Sequence, residues 1–368
     1  MRKILIASFI GFIGLSANGQ YQFEEKINLE TTPVISQGRT GTCWSFSTTS
    51  FIESEIMRIS DKEIDISEMY NVRHTYIDKA RNYLMRQGKA QFSEGGLAHD
   101  VMNSIRKNGL VPQSAYTGFG AGENTHNHAE MVAVITAMLD TYLDKPAKQM
   151  SDKWQDAVNA ILDVYLGPVP QEFKYEGKTY TPQSFLAMTG INPEDYLTVT
   201  SFTQAPFYNA FILNIPDNFS NGSMYNVPLD AMMNVVNQAL ENGYTVELDC
   251  DVSEPTFSAR EGVAIIPLDE SKNKEALSTP VDEKAINQAY RQQLFESHET
   301  TDDHLMHITG ILTDQDGTKY YRVKNSWGSS LANGGYVYMS ESYMRLKTIS
   351  VMVHKDALPK DISKKLNL

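Results

Sequence analysis

The segment SQGRTGTCWSFS, residues 36–47, is the part of the sequence that most constrains how this chain folds. It joins a loop with two glycines to a helix predicted over residues 43–60, with Thr42 as a candidate N-cap. One face of this helix carries large apolar side chains at three- and four-residue steps: Trp44, Phe51, Ile52, Ile56 and Ile59. Another face carries small side chains: Cys43, Ser47, Ser50 and Ser54. Small residues let a second lobe approach closely, so we expect the helix between two lobes, with Cys43 at its leading end.

The first nineteen residues are typical of an export signal. Arg2 and Lys3 precede a short apolar run, and the small residues at 17–19 form a cleavage site, so residues 1–19 are a predicted secretory signal peptide. We therefore expect a mature chain that begins at Gln20 and is periplasmic or extracellular. No later apolar run is long enough to cross a bilayer, so we expect no stable membrane insertion.

Charge and cysteine content narrow the class of partners. The formal net charge of −13 argues against nucleic acid or an anionic membrane as a partner. Two cysteines in an exported chain argue against a disulfide scaffold, although a single Cys43–Cys250 disulfide remains an alternative. Cys250 lies in the alternating segment YTVELDCDV, where we expect it to pack as a small hydrophobic residue.

The order of helical and strand-like segments predicts an α+β fold with two lobes. Residues 95–110 and 127–165 have helical patterns, and short alternating runs predict strands from about residue 241 onward. We predict the following division: a helical lobe over 20–118, a largely helical insertion of mixed character over 119–240, an antiparallel β-barrel lobe over 241–354, and a C-terminal tail over 355–368. A functional site would lie naturally at the junction of the two lobes.

A nucleophilic thiol needs a lowered pKa, and the sequence contains groups that could supply it. A helix N-terminus contributes partial positive charge, and an oriented histidine contributes more. His304 begins a predicted hairpin in which Asp316-Gly317 marks the turn, and a loop over 314–317 would place it opposite Trp327. Asn325 would then lie on the diagonal and orient the imidazole, while Trp327 shields that hydrogen bond from water. His307 points to the other face and is expected to be structural.

Two donors near Cys43 could stabilise a tetrahedral oxyanion. They are the backbone N–H of Cys43 and the side-chain amide of Gln37. The glycines at 38 and 41 would allow the loop to turn and place this amide near Cys43. Nucleophile, base, orienting amide and oxyanion donors together predict acyl transfer from an amide to water. We expect this reaction to need a reduced thiol and no metal or cofactor.

The segment HNHAE, residues 126–130, raises the question of a metal site. His126, His128 and Glu130 alternate along it, but three ligands so close in sequence rarely complete a tetrahedral site. We therefore expect a solvated loop there.

Four motifs, taken in order, carry a family resemblance. QGRTGTCWSFS, SEGG, DHLMHITG and KNSWG resemble the papain superfamily of cysteine peptidases, over residues 36–116 and about 300–354. Within it the chain most resembles the bleomycin hydrolase and aminopeptidase C branch. Thr40 stands where secreted papains carry a disulfide cysteine, and two segments resemble parts of that branch: LGPVPQEFKYEGKTYTPQSF and ELDCDVSEPTFSAREG.

The resemblance implies roles for individual residues. It implies Cys43 as the nucleophile, His304 as the acid and base, Asn325 as its orienting residue and Gln37 in the oxyanion hole. Gly95 and Gly96 match the backbone strip that pairs with an extended peptide substrate, which gives affinity with little sequence preference.

The chain also departs from that branch. The segment between Gln20 and Cys43 is too short for the inhibitory propeptide of secreted papains, and shorter than the branch's own segment, so a homo-oligomer is left open. The branch's C-terminal arm enters the cleft and holds the substrate's free amine, whereas KDALPKDISKKLNL is short and basic.

The first hypothesis is therefore an aminopeptidase, and the second is an endopeptidase with an open cleft. A third is a peptide-binding protein of the cell envelope without turnover.

Overall fold

The computed structural model describes residues 19–120, 122–145 and 148–368. Residues 1–18 of the predicted signal peptide lie outside this range. In the described part of the chain no helix is both long and apolar enough to traverse a lipid bilayer.

The helices and strands alternate along the chain in a mixed order. The α-helices are α1 Cys43–Ser60, α2 Glu68–Met85, α3 Ala98–Asn108, α4 Ala129–Leu143, α5 Trp154–Leu166, α6 Pro182–Thr189, α7 Leu229–Glu241, α8 Asn273–Ala276, α9 Gln288–Glu296, α10 Glu341–Lys347 and α11 Lys360–Leu366. The strands are β1 Glu24–Asn28, β2 Phe173–Tyr175, β3 Lys178–Tyr180, β4 Tyr196–Thr200, β5 Asn209–Ile212, β6 Ser223–Asn226, β7 Val246–Cys250, β8 Phe257–Ser258, β9 Val263–Ala264, β10 His304–Thr313, β11 Lys319–Lys324, β12 Tyr336–Ser340 and β13 Thr348–His354.

The predicted nucleophile helix has the predicted bounds. α1 begins at Cys43 and ends at Ser60, and every residue from Cys43 to Ile56 is buried. Ile59, predicted on the apolar face, is instead 43% exposed because it lies in the last turn. Thr42 precedes the helix, but its side chain makes no capping hydrogen bond. The residues predicted as one helical stretch at 127–165 form two helices, α4 and α5.

The predicted closed β-barrel is not formed by the described residues. The large sheet follows the open path β5-β6-β4-β13-β7-β10-β11-β12-β9-β8, and β1 adds to β10. The pairs β4–β6 and β9–β12 are parallel, whereas the central pairs are antiparallel. The physical reason is that β4, β5 and β6, which come from the segment predicted as an insertion, occupy the free edge of β13 and extend the sheet.

Two hydrophobic clusters lie on either side of this sheet. The first is centred on α1 to α5, and the second combines α7, α10 and α11 with one face of the central strands. Side chains of β7 and β10 alternate between the faces: Leu248 and Met306 join the second cluster, whereas Glu247 and His307 face α1. α7 and α1 therefore cover opposite faces of the same sheet.

The C-terminal tail is folded rather than extended. In α11, Ile362 and Leu366 are buried in the second cluster, and the chain ends beside this helix because the backbone N–H of Leu368 donates to the carbonyl of Ser363 (3.1 Å). The tail therefore lies with α7, on the side of the sheet opposite to α1.

The prediction of a solvated loop at HNHAE is wrong. His126 and His128 are 6% and 2% exposed, and the His126 ring stacks on Phe119 at a centroid distance of 4.3 Å. The backbone N–H of Arg39 donates to the carbonyl of His126 (2.8 Å), and His128 Nδ1 lies 3.1 Å from Thr40 Oγ1. The two histidines are buried because they support the loop that precedes Cys43 from behind.

Lowering the pH should destabilise the folded protein through these two buried histidines. Burial lowers the pKa of His126 to about 4 and that of His128 to about 3, the charge of His126 adding to the second shift. Since the unfolded chain binds these protons near pH 6.5, it holds more protons than the folded chain between pH 6.5 and 4. The free energy of unfolding should therefore fall on acidification, by about 1.4 kcal/mol per pH unit for each histidine.

Denaturant unfolding of a His128→Gln variant measures this effect. At pH 7 the variant should be less stable than the wild type by about 1 to 3 kcal/mol, because Thr40 and Tyr76 lose their partner. The difference in free energy of unfolding between wild type and variant should become smaller between pH 6.5 and 4. The wild type loses the contribution of neutral His128 over this range, whereas glutamine does not titrate. The solvent-exposed His298→Gln substitution is the matched control and should follow the wild type. A gap that stays constant with pH would contradict the explanation.

Candidate active site

The loop that precedes Cys43 is held on three sides. The backbone N–H of Gln37 donates to the carbonyl of Ser326 (2.8 Å), which ties the loop to the segment after β11. The backbone N–H of Gly41 donates to Glu94 Oε2 (2.5 Å), and HNHAE supports the loop from behind. The loop is thereby fixed relative to both clusters before the helix begins.

Cys43 is the first residue of α1 and lies at the border of the two clusters. It is 8% exposed, and its side chain is a free thiol. As the first residue of a helix, its backbone N–H has no acceptor within the helix and points along the positive end of the macrodipole. The backbone N–H of Leu305, next to His304, lowers the pKa of the Cys43 thiol, which places the sulfur beside the start of β10.

The hairpin of β10 and β11 has a register that differs from the predicted one only near its turn. Thr313 pairs with Lys319, so the loop is one residue longer than the predicted 314–317. A bulge within β10 takes up the extra residue, and His307 pairs with Lys324, as the predicted register requires. The predicted alignment therefore holds at the end of the hairpin that approaches Cys43.

The predicted contact between His304 and Asn325 is present. His304 Nε2 lies 2.8 Å from Asn325 Oδ1, and both residues are buried. An amide oxygen only accepts, so Nε2 carries the proton and Nδ1 is left as an acceptor. The same Oδ1 also accepts from the backbone N–H of Ser326 (2.7 Å), which fixes the amide orientation.

Trp327 covers the histidine. Its ring lies 4.7 Å from the His304 ring, tilted by 33°, and Phe257 contacts it edge-on at 6.0 Å. Trp327 is 38% exposed, so one part of the indole shields the His304–Asn325 hydrogen bond and another faces solvent.

Burial opposes charge on both members of the Cys43 and His304 pair. Burial raises the pKa of Cys43 to about 12, and the carboxylates of Asp217, Asp302 and Asp249 add to the rise. Burial lowers the pKa of His304 to about 4, against the effect of the hydrogen bond with Asn325. Both shifts disfavour a charge that is carried by either group alone. Charges that develop here must develop together, because a pair costs less to bury than either charge alone.

Gln37 can serve as an oxyanion donor with only one of its two amide hydrogens. Its Nε2 donates to the carbonyl of Thr40 (2.6 Å), and its Oε1 accepts from Ser326 Oγ (2.6 Å). An amide nitrogen has two hydrogens, so one remains. Both contacts fix the direction of that remaining N–H.

The glycines at 95 and 96 form a strip beside α1. The backbone of Gly96 lies against the Trp44 ring, where an added Cβ would come within 3.1 Å, and Trp44 Nε1 donates to the carbonyl of Glu94 (2.9 Å). The ammonium of Lys79 donates to the carbonyl of Gly95. In the described residues the N–H and C=O of Gly96 make no hydrogen bond, so both are free for an extended peptide.

Cys250 and His307 lie apart from this arrangement. Cys250 is a free thiol, 1% exposed, with its side chain in the second cluster, so the alternative of a Cys43–Cys250 disulfide is wrong. His307 lies behind α1, where its Nδ1 is 3.0 Å from Ser50 Oγ.

A cavity of about 280 Å³ lies behind α1. Glu53, Asp65 and Glu68 place carboxylate oxygens within 4.8 Å of one another there, which is the spacing of a cation site. The Lys324 ammonium lines the same cavity and donates to Ser50 Oγ (2.7 Å). The Lys324 ammonium already balances part of this negative charge, so the cluster fits an internal network of buried acids around one ammonium better than a metal.

Sequence reasoning missed three carboxylates near the thiol. Asp249 in β7 lies inside the quoted segment YTVELDCDV, Asp302 directly precedes the motif DHLMHITG, and their closeness to Cys250 and His304 was the available signal. Asp217 lies between β5 and β6 in a turn-rich segment, NIPDNFSNG, that carries no comparable signal.

Known proteins resemble the whole of this arrangement. A model of the Peptidase C1-like family matches residues 15–368. Aminopeptidase C of Listeria monocytogenes is 24% identical over 92% of this chain and 83% of its own length. Human bleomycin hydrolase is 23% identical over 93% of this chain and 84% of its own length. The crystal structure of PepW from Lactobacillus rhamnosis superimposes with a TM-score of 0.73 at 19% identity, covering 94% of this chain and 84% of that one.

The structural likeness shows a mixed α+β papain-like fold, and the sequence match extends over nearly all of the chain. The chain therefore belongs to the Peptidase C1-like family of cysteine-type peptidases.

Proposed function

We propose that this protein is an exported aminopeptidase that hydrolyses peptide bonds with Cys43 as the nucleophile and His304 as the acid and base. The observation that carries the proposal is the His304–Asn325 hydrogen bond of 2.8 Å. It leaves Nδ1 unprotonated on the residue next to Leu305, whose N–H faces the thiol at the start of α1.

The first half-reaction forms an acyl-enzyme. The Cys43 sulfur attacks the substrate carbonyl carbon while the thiol proton passes to Nδ1 of His304, so the oxyanion and the imidazolium arise in the same step. The oxyanion accepts hydrogen bonds from the backbone N–H of Cys43 and the remaining N–H of Gln37. The C–N bond then breaks, and Nδ1 returns its proton to the leaving amine.

The second half-reaction releases the acid. His304 takes a proton from water, the hydroxide attacks the thioester, and the Cys43 sulfur leaves with a proton from Nδ1. Asn325 keeps the ring orientation through both half-reactions. Trp327 keeps water away from the Nε2–H, which would otherwise exchange partners.

Peptide binding would use the strip at Gly96. An extended substrate can pair with both backbone groups of Gly96, as in strand addition, without contacts that depend on sequence. The exposed part of Trp327 offers an apolar surface on the other side of the scissile bond.

Aminopeptidase action is supported by the relatives named aminopeptidase C. An endopeptidase is the second candidate because α11, residues 360–366, packs in the second cluster and not along the cleft.

Export is the third part of the proposal and is supported by the basic start, apolar run and small residues at 17–19. The mature protein, isolated from its producing cells, should begin at Gln20. Intact-mass analysis with N-terminal sequencing measures this, and a mature chain that keeps Met1 would contradict it.

Substitutions of the proposed catalytic residues should differ in size of effect. Cys43→Ala should abolish hydrolysis, and Asn325→Ala should lower kcat about tenfold or more, because it removes one orienting hydrogen bond. Cys250→Ser is the matched control, since this thiol is buried in the second cluster, and should keep near wild-type kcat. Activity that survives in Cys43→Ala, or is lost in Cys250→Ser, would overturn the assignment.

The position of cleavage is tested with paired fluorogenic substrates. Amino-acid aminomethylcoumarin substrates should be cleaved with a higher kcat/KM than N-blocked dipeptide counterparts of the same terminal residue. A preference for the blocked substrates would reject the aminopeptidase and favour the open-cleft endopeptidase.

A further inference from the structure

The loop between β5 and β6, residues 213–222, reaches from the edge of the sheet to the proposed peptide-binding strip. Asn218 braces it from inside, because its Nδ2 donates to the carbonyls of Leu213 (2.9 Å) and Gly222 (3.0 Å). His99 Nε2 lies 3.0 Å from Ser220 Oγ and anchors the loop to α3. The loop is therefore held against the helical side of the molecule.

This loop places the carboxylate of Asp217 on Gly95. A Cβ on Gly95 would collide with the Asp217 carboxylate, so the absence of a side chain there lets the acid approach. Burial raises the pKa of Asp217, and the charge of Lys79 opposes that rise. Lys79 forms no ion pair with Asp217, because its ammonium is directed to the carbonyl of Gly95.

Two further carboxylates, those of Asp302 and Asp249, lie behind Asp217. Both oxygens of Asp302 and Oδ1 of Asp249 are fully buried, and the two side chains are hydrogen-bonded to each other, which requires a proton shared between them. The negative charge of Asp217 raises the pKa of both carboxyl groups, and the charges of all three carboxylates raise the pKa of the Cys43 thiol. A buried pair of carboxylates that shares one proton keeps a negative charge, which a cation beside it would stabilise.

We propose that Asp217, with Asp302 and Asp249 behind it, forms the subsite that binds the α-ammonium group of the substrate. The inference rests on the proposed function and assigns its selectivity to a loop of the chain. An ammonium group would donate charge-assisted hydrogen bonds to Asp217, and the negative charge of the Asp302–Asp249 pair would stabilise it further.

The position of Asp217 explains why a terminal ammonium fits better than an internal residue. A peptide that pairs with Gly96 runs next towards Gly95, where Asp217 lies across its path. Since Gly95 directly precedes Gly96, an extended peptide would reach the carboxylate about one residue beyond the one that pairs with Gly96, at about 3.3 to 3.6 Å per residue. The peptide must therefore begin there.

Calorimetric titration of the Cys43→Ala protein tests the subsite without turnover. The three probes are Ala-Phe-amide, N-acetyl-Ala-Phe-amide and N-acetyl-Lys-Phe-amide, all at pH 7. We expect Ala-Phe-amide to bind at least tenfold more tightly than its acetylated form, which is the loss for one charge-assisted hydrogen bond. Asp217→Asn, added to Cys43→Ala, should remove this preference.

Control variants separate the subsite from a general effect of charge or folding. Asp303→Asn neutralises the exposed neighbour of Asp302 and should keep the preference. Asp302→Asn provides a second test if Asp217→Asn fails to fold, as judged by near-UV circular dichroism. Equal binding of free and acetylated peptide, or a preference that survives both Asp217→Asn and Asp302→Asn, would overturn the proposal.

Two other outcomes also overturn it. Tight binding of N-acetyl-Lys-Phe-amide would show a site for basic side chains instead of the terminal amine, and no measurable binding of Ala-Phe-amide would show no amine site. If the wild type cleaves no peptide while the binding preference holds, the proposed function fails and the subsite stands.

Discussion

Burial of α1 on every side is the constraint on which the rest of the structure depends. Its residues from Cys43 to Ile56 have no exposed face, so the helix cannot shift without opening the cluster on one side or the sheet on the other. Hydrogen bonds on its small-residue face, from Ser47 to Glu247 and between Ser50 and His307, fix its rotation. Breaking either hydrogen bond would leave a buried polar group unpaired, at a cost of about 1 to 3 kcal/mol. The rigid helix α1 therefore fixes the position of the Cys43 sulfur beside the first residues of β10.

Those parts of the fold that follow from local patterns could be predicted. The periodicity of α1 predicted both of its bounds, whereas the helix predicted from residue 95 begins only at Ala98. The Asp-Gly turn predicted the hairpin of β10 and β11. The contact of His304 with Asn325 depended on a register that was right at one end of the hairpin and wrong by one residue at the other. A bulge within β10 accounts for the one-residue difference in register between the two ends, and the sequence of β10 contains no pattern that predicts this bulge.

The features that depend on distant packing could not be predicted. The alternation in HNHAE resembles a solvated turn, yet its rings are buried because Phe119 and the loop before Cys43 close over them. The sheet stays open because strands from 196–226 occupy an edge that a closed barrel would need. Asp217 reaches the strip at Gly95 only because its loop is anchored to α3, a contact between segments about 120 residues apart in sequence.

The docked C-terminal helix has a practical consequence. Leu368 is 52% exposed, and α11 holds it on the face of the sheet that α7 covers, away from the nucleophile helix. A fluorescent protein or an affinity tag fused after Leu368 therefore projects into solvent behind the molecule and leaves the entrance for peptides unobstructed.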